Sequence, residues 1–465
     1  MYLPSRSLPR FLIVGLISLL SACGPSEHSI TADQAKVEYD LVYSMPEKPL
    51  SFREQVLPVL EKRCISCHGC YDAPCQLKLS SAQGIKRGAN KLKVYDGARI
   101  TAAEPTRLFI DAVTTAQWRD KGFSPVLYEG GEGESSHTGN PVRNLENSVL
   151  YRMLRLKQLQ PQPRTGMLGD EFDFSLDRDQ SCPTLEEFDD YAEDYPHAGM
   201  PFGLPNMHRQ EYSTLVHWIA QGAPVEDDLK PSAAVMQQVR DWEAFLNQKS
   251  DDAGEQNRFS LVSRYLYEHL FQAHLHFAGS GDREFYRLVR SYTPPGEQPV
   301  AIATRRPYGD VGYGVYYRLV RHRGSIVDKQ HQVYSLSEQR MKRLRELFYE
   351  TEYQVESLPS YEPHVASNPI KAFADIPVNS RYRFLLDDAK FFIEGFIKGP
   401  VCRGQVALNV IEDQFWVAFF DPDAPVATND DDFLRANADL MATPSELEDT
   451  FRVLSVNLHY RGLFR

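Results

Sequence analysis

The sequence predicts a multidomain chain, mainly α in its first part and mixed α+β in its second. Three observations carry this. The 465 residues are enough for two or three domains. Apolar residues recur at helical spacing in separate runs across the first half and again at Ser337–Glu350. Near the C-terminus, Gln405–Ile411 and Phe415–Phe420 are apolar, β-branched or aromatic runs around Glu412-Asp413, and they read as a strand pair.

In chain order, Arg6 and Arg10 form a positive n-region ahead of the apolar run Phe11–Leu20. That run, about 10 residues, is too short to span a bilayer as a mature helix. It ends in Leu20-Ser21-Ala22-Cys23, which resembles a bacterial lipobox. Residues 1–23 are therefore expected to be a lipoprotein signal peptide, with Cys23 lipidated and new at the N-terminus. Gly24 follows rather than Asp, so the expected place is the periplasmic face of an outer membrane. Residues 24–50 are polar and read as a tether.

Phe52–Arg63 reads as a short helix, interrupted by Pro58, that leads into Cys64-Ile65-Ser66-Cys67-His68. Leu145–Leu159 is helical in pattern, and Pro161 and Pro163 stop it. Residues 170–194 form an acidic segment that reads as solvated. His208–Gly222 reads as a helix with Gly222 as a C-cap. Pro231–Lys249 is a second helix, with proline in its first turn. The polar stretch Ser250–Gln256 marks a domain boundary. Phe259–Phe277 reads as one long aromatic-rich helix, either a core helix or the lining of an apolar channel. Ser337 caps a basic amphipathic helix. Without Arg6 and Arg10 the chain carries 49 basic and 63 acidic residues, a net charge of −14. That argues against nucleic acid as a partner and against electrostatic docking on anionic lipid.

The pentapeptide Cys64 to His68 is a C-x-x-C-H motif, the attachment signature of a c-type haem. Two thiols three positions apart each reach one porphyrin edge, and His68 falls beneath the iron. The wider spacing Cys64, Cys67, Cys70, Cys75 approaches a ferredoxin pattern. Its last gap is one residue longer, however, and Pro74 precedes rather than follows the last cysteine. Zinc gives no role to a histidine directly after Cys67. Cys70 and Cys75 remain close enough for a local disulfide in an oxidising compartment, with Cys182 and Cys402 as further candidates. Met200, in His197-Ala198-Gly199-Met200-Pro201, precedes the helix ending Trp218-Ile219-Ala220-Gln221-Gly222-Ala223. This resembles the distal half of a cytochrome c domain, with Met200 as the second axial iron ligand and His197, Met207, His208 or water as its rivals. Met200 lies 132 residues beyond His68, so a large insertion at about 76–190 is expected to loop out of a cytochrome c-like haem domain over 51–250. A mixed α+β domain then fills 257–465.

His269, His274 and His276 do not share one helical face, so they read as structural rather than metal-binding. Arg305-Arg306 could contact a phosphate headgroup, but reads first as a solvated dibasic turn; Arg403 has the same status.

The stretch Cys67-His68-Gly69-Cys70-Tyr71-Asp72-Ala73-Pro74-Cys75 resembles the haem region of the bacterial fatty acid cis/trans isomerases. The resemblance continues at Arg264–Phe271, Thr304–Pro307, Ile376–Phe384 and Phe396–Ala407. It implies a periplasmic, haem-containing enzyme that converts cis double bonds of acyl chains in membrane phospholipids to trans, without ATP or nicotinamide. In that reading Cys64, Cys67 and His68 hold heme c, and His68 with the iron is the catalytic centre. Family members extend beyond Arg465, so a truncated form is expected. The alternative is a lipid-anchored periplasmic electron carrier. A third reading, an oxidoreductase with a fused cytochrome domain, lacks a dinucleotide-binding glycine fingerprint.

Overall fold

The computed structural model describes residues 37–94, 103–130, 140–163, 165–173, 181–226, 230–312, 314–398, 417–423 and 431–441. Cys23, Cys402, Arg403 and most of the expected strand pair lie outside the described residues. Val417–Phe420, the described end of that pair, forms no strand and is exposed.

The first part is helical: α1 (Tyr39–Tyr43), a π-turn at Phe52–Val56, α2 (Leu57–Arg63), α3 (Ile65–His68), α4 (Ala82–Arg87), α5 (Thr115–Asp120), α6 (Pro141–Glu146), α7 (Val149–Leu159), α8 (Phe188–Asp194) and α9 (Arg209–Ala220). Side-chain caps fix their starts. Ser51 accepts from the Glu54 amide, and Thr114 forms a capping box with Gln117. The expected helix 145–159 is two helices, because Ser148 breaks the run and caps α7 through the Tyr151 amide.

One core joins Phe52, Val56, Leu60 and Ile65 to Tyr212, Leu215, Val216, Trp218 and Ile219. Leu79, Ile85, Leu145, Tyr151 and Leu154 lie in the same core. The insertion expected at 76–190 therefore does not loop away as a whole; its helices α4, α6 and α7 complete the core. The acidic segment is only partly solvated, since Phe188, Tyr191 and Ala192 of α8 pack in a satellite cluster with Val149 and Leu156.

The second part contains α10 (Ala233–Leu246), α11 (Ala253–Leu270), strands β1 (His274–Phe277), β2 (Tyr286–Ser291), β3 (Tyr316–Arg321) and β4 (Val333–Leu336), then α12 (Glu338–Phe348), α13 (Pro363–Ala366), α14 (Pro369–Ala372), α15 (Val378–Asp387), α16 (Ala389–Ile397) and α17 (Asp431–Asn437). The polar stretch 250–256 is a helix start rather than a bare linker: Asp252 caps α11 through the Glu255 amide. Helices α10 and α11 share one core with the sheet and α12.

The strand order is β3-β2-β1-β4, with β1 antiparallel to β2 and parallel to β4. The expected helix 259–277 is corrected here. It ends at Leu270, and residues 274–277 pair along their whole length with Val333–Leu336. Leu275, Phe277, Tyr286, Leu288, Leu319, Tyr334 and Leu336 point into the second core. Alternate residues along each strand face the other side.

Candidate functional site

The C-x-x-C-H segment sits at the joint of α2 and α3. The chain bends at Cys64, whose φ of −128° ends α2 and starts α3. One tight turn follows: the amides of Cys67 and His68 both donate to the Cys64 carbonyl, at 3.2 and 2.9 Å. Cys64 and Cys67 are free thiols, the first part-buried and the second exposed. Burial, reinforced by Cys67 and opposed by Arg63, pushes the Cys64 thiol up to about 12.

His68 is buried, and its Nδ1 lies 3.1 Å from the Leu77 carbonyl oxygen. A carbonyl only accepts, so Nδ1 carries the proton and Nε2 keeps its lone pair. Burial holds the imidazole below its ordinary pKa, against the Leu77 bond, which favours the charged form. A neutral, oriented imidazole is the state that binds a metal. The Leu79 amide closes the loop by donating to the His68 carbonyl at 2.8 Å.

That loop is held by residues that sequence reasoning missed. The Arg87 guanidinium donates to the Gln76 carbonyl and to the Thr106 carbonyl, the latter at 2.6 Å, and lies over the Phe123 ring at 4.8 Å. Thr106 Oγ1 donates to Gln76 Oε1 at 2.6 Å. Cys75 and Gln76 take left-handed φ values of 55° and 49°. A buried arginine leaves no mark in sequence; Lys86-Arg87 reads as a basic helix end.

The expected Cys70–Cys75 bridge is not formed. Cys75 pairs with Cys182, with Cα atoms 5.7 Å apart, and Cys70 is also disulfide-bonded. The turn through Cys75 directs its side chain to Cys182 in the middle of the acidic segment, 107 residues on.

The N-terminus of α9 is tied to the end of α2. Arg63 grips Glu211 through Nε at 2.9 Å and Nη2 at 2.6 Å, and Lys62 adds a contact at 2.6 Å. Burial would raise the Glu211 carboxyl, but bonds from Arg63, Lys62 and the His208 amide outweigh it and hold it at about 2.

Met200 lies half-buried in the loop before α9, and its amide donates to the Met153 carbonyl at 3.0 Å. Gly199 lets this loop approach closely, since a Cβ there would stand 2.3 Å from the Lys157 amide nitrogen. Of the rivals, Met207 is buried in the first core, His208 is the N-cap residue of α9, and His197 stacks on Phe172 at 5.8 Å.

His269 ends α11, while His274 and His276 lie on β1. Arg305 pairs with Glu104 at 3.3 Å. A cavity of about 370 Å³ between α4, α5 and α9 is lined by Ile219, Gly222 and Ala223 but by none of Cys64, Cys67, His68 and Met200. Among the described residues no helix is long and apolar enough to cross a membrane.

A family model described as fatty acid cis/trans isomerase matches residues 103–463, beginning after the C-x-x-C-H motif and spanning α5 onward. No curated protein and no solved structure matches the chain. Four of the five resembling blocks fall within the matched residues, and on that coverage the chain belongs to the fatty acid cis/trans isomerase family and is an isomerase enzyme.

Proposed function

We propose that the chain converts cis double bonds of acyl chains in membrane phospholipids to trans, with a c-type haem joined to Cys64 and Cys67 and ligated by His68. The observation that carries the haem is the His68 geometry. Its Nδ1 is spent on Leu77 while Nε2 stays free, beside two unpaired thiols one turn apart. A lone buried histidine needs no such companions.

When bound, a ferric haem supplies an electron-accepting centre that lowers the barrier to rotation about a carbon–carbon double bond. The chain's own part is to orient and to enclose. Leu77 fixes the ring of His68, and Arg87 and Thr106 hold the loop that carries Leu77. Met200, on the loop ahead of α9, would supply a thioether sulfur to the iron as a second protein ligand. The expected tether 24–50 is shortened by the structure, since Val37 and Leu41 already pack in the first core. Cys23 is proposed as the lipid anchor and residues 24–36 as the tether, which would hold the enzyme at the periplasmic face of the outer membrane.

The test is chromatographic. The chain is produced with c-type haem maturation and incubated with vesicles of cis-monounsaturated phospholipid, and trans acyl chains are quantified. Trans product is expected from the haem-loaded protein and not from Cys64→Ala/Cys67→Ala. Bound haem with no trans product would favour the electron carrier.

A further inference from the structure

The sheet turns a cationic face away from the second core. The β1–β2 register sets His274 across from Arg287. The His322 amide donates to the Phe285 carbonyl at 2.7 Å, which extends the β2–β3 pairing and puts Phe285 and His322 on that same face. Ring centroids of His274 lie 5.0 Å from His322 and 5.4 Å from His331. Lys78 reaches this face from the first part of the chain: its charge acts on His274 and His322, and that of Arg287 acts on Lys78. Lys78 directly follows Leu77, whose carbonyl orients His68.

These cations lack partners. Neither Lys78 nor Arg287 has a hydrogen bond or ion pair among the described residues, and Arg287 Nε, His322 Nε2 and His331 Nδ1 are buried without one. Elsewhere in this chain two buried arginines are paired with carboxylates, while Arg87 and Arg290 are held by carbonyl and hydroxyl oxygens. Arg318 bonds Glu243 at 3.0 Å, and Arg264 bonds Glu268 at 2.8 Å. No carboxylate acts on Lys78, Arg287, His274 or His322 among the described residues; Asp328 and Glu394 act on His331 at the rim, where Lys398 already pairs with Asp328 at 3.5 Å. Burial and the neighbouring guanidinium charges of Arg287 and Arg87 push Lys78 down to about 7. Burial, with Arg287, His331 and Lys78, holds His274 at about 2. The charges of Lys78 and Arg287 repel a metal cation from the neutral imidazoles, and among the described residues no group of three or more His, Cys, Asp or Glu is placed to hold one. A desolvated cation pair calls for an anion.

We propose that Lys78 and Arg287 are the counter-charges of the haem's two propionate carboxylates, an assignment that rests on the haem reading above. A covalently held group suits this site because its carboxylates never leave, so the cations stay paired through every turnover. A lipid headgroup would have to enter and leave a half-buried site each time. Positive charge beside the propionates also favours the reduced iron, so the pair is a positioning and potential-setting element rather than a catalytic one.

The test uses the full chain with haem attached. Covalent haem is first measured in the denatured protein, and the midpoint potential is then measured for wild type, Lys78→Met, Arg287→Met and Arg287→Lys. Retained haem is expected in all four. Each methionine variant should shift the ferric–ferrous equilibrium toward ferric by about tenfold, or 59 mV for a one-electron couple. Arg287→Lys should recover most of the wild-type value. Lys78→Met keeps the test decisive if Arg287→Met unfolds. Unchanged potentials in haem-loaded methionine variants would overturn the pairing. If those variants instead lose affinity for inorganic phosphate in calorimetry, the site belongs to a headgroup. Wild type without covalent haem would overturn the haem reading itself, and this pairing with it, before any potential is read.

Discussion

The rings of Phe52 and Trp218 lie 5.5 Å apart, centroid to centroid, with planes inclined at 40°. This contact joins the turn before the C-x-x-C-H motif to the helix after the Met200 loop. Both rings are buried, and Trp218 Nε1 also donates to the Pro224 carbonyl at 2.9 Å. Trp218→Ala should cost roughly 3–5 kcal/mol. The two single alanine variants and the double variant, unfolded in urea, should show a coupling of about 0.5–1.5 kcal/mol. Additive losses would mean that the rings only share a core.

The Glu211 clamp gives the same joint a pH dependence. Its carboxyl is held at about 2 against an ordinary 4.5. A depressed carboxyl contributes stability that is full above its unfolded value and lost as pH falls through its folded value. Glu211→Gln should therefore lower stability by on the order of 1 kcal/mol above pH ~5, as expected for a largely screened ion pair. The gap to wild type should close as pH approaches 2. Melting temperatures of both proteins across that range check this, and a gap independent of pH would exclude the clamp as its source.

Local chemistry was legible in the sequence and long-range pairing was not. Cys64, Cys67 and His68 must be close in sequence to serve one ring, so their spacing announces them. Ser337 announces a helix start because a cap bonds an amide three residues on, and it accepts from Arg340. His274–Phe277 was misread because four apolar-rich residues satisfy helical and strand periods alike. Their identity as a strand comes from Val333–Leu336, far along the chain. Arg87, Lys78 and Arg287 were silent for a related reason: a cation looks solvated until the fold buries it.

The Cys75–Cys182 bridge closes a loop over 107 residues, a separation that makes its effect on the unfolded chain large. Cys75→Ser/Cys182→Ser should lose roughly 2–5 kcal/mol. A drop in the urea midpoint with a steeper slope would locate the loss in a more expanded unfolded chain, and an unchanged slope would place it in the folded state. Because the bridge anchors the loop that carries Gln76 and Leu77, the variant should also attach less haem.

Met200→Ala separates a ligand from a loop residue. A thioether ligand raises the iron's potential. In the haem-loaded protein the variant should keep covalent haem, lower the midpoint potential and lose the absorption features of sulfur ligation. Met207→Ala is the control, since Met207 belongs to the first core and should change stability without changing the spectrum.

The Glu243–Arg318 pair tests how the second part is held. The side chains are 5% and 6% exposed, so both charges are desolvated. Glu243 Oε1 accepts from Arg318 Nε at 3.0 Å and from the Leu319 amide at 2.9 Å. Arg318 spends its remaining donors on the carbonyls of Thr293, Pro294 and Glu297. Glu243→Gln keeps the shape but leaves the guanidinium charge uncompensated, and should cost about 3–5 kcal/mol. Replacing a buried pair by apolar residues is often neutral, because both desolvation costs vanish together. That relief should fail here. Glu243→Leu/Arg318→Met would strand the Leu319 amide and three carbonyls, each an unsatisfied group costing roughly 1–3 kcal/mol. The double variant should therefore be no more stable than Glu243→Gln in urea unfolding. A double variant at wild-type stability would show that the pair sets partner geometry rather than stability.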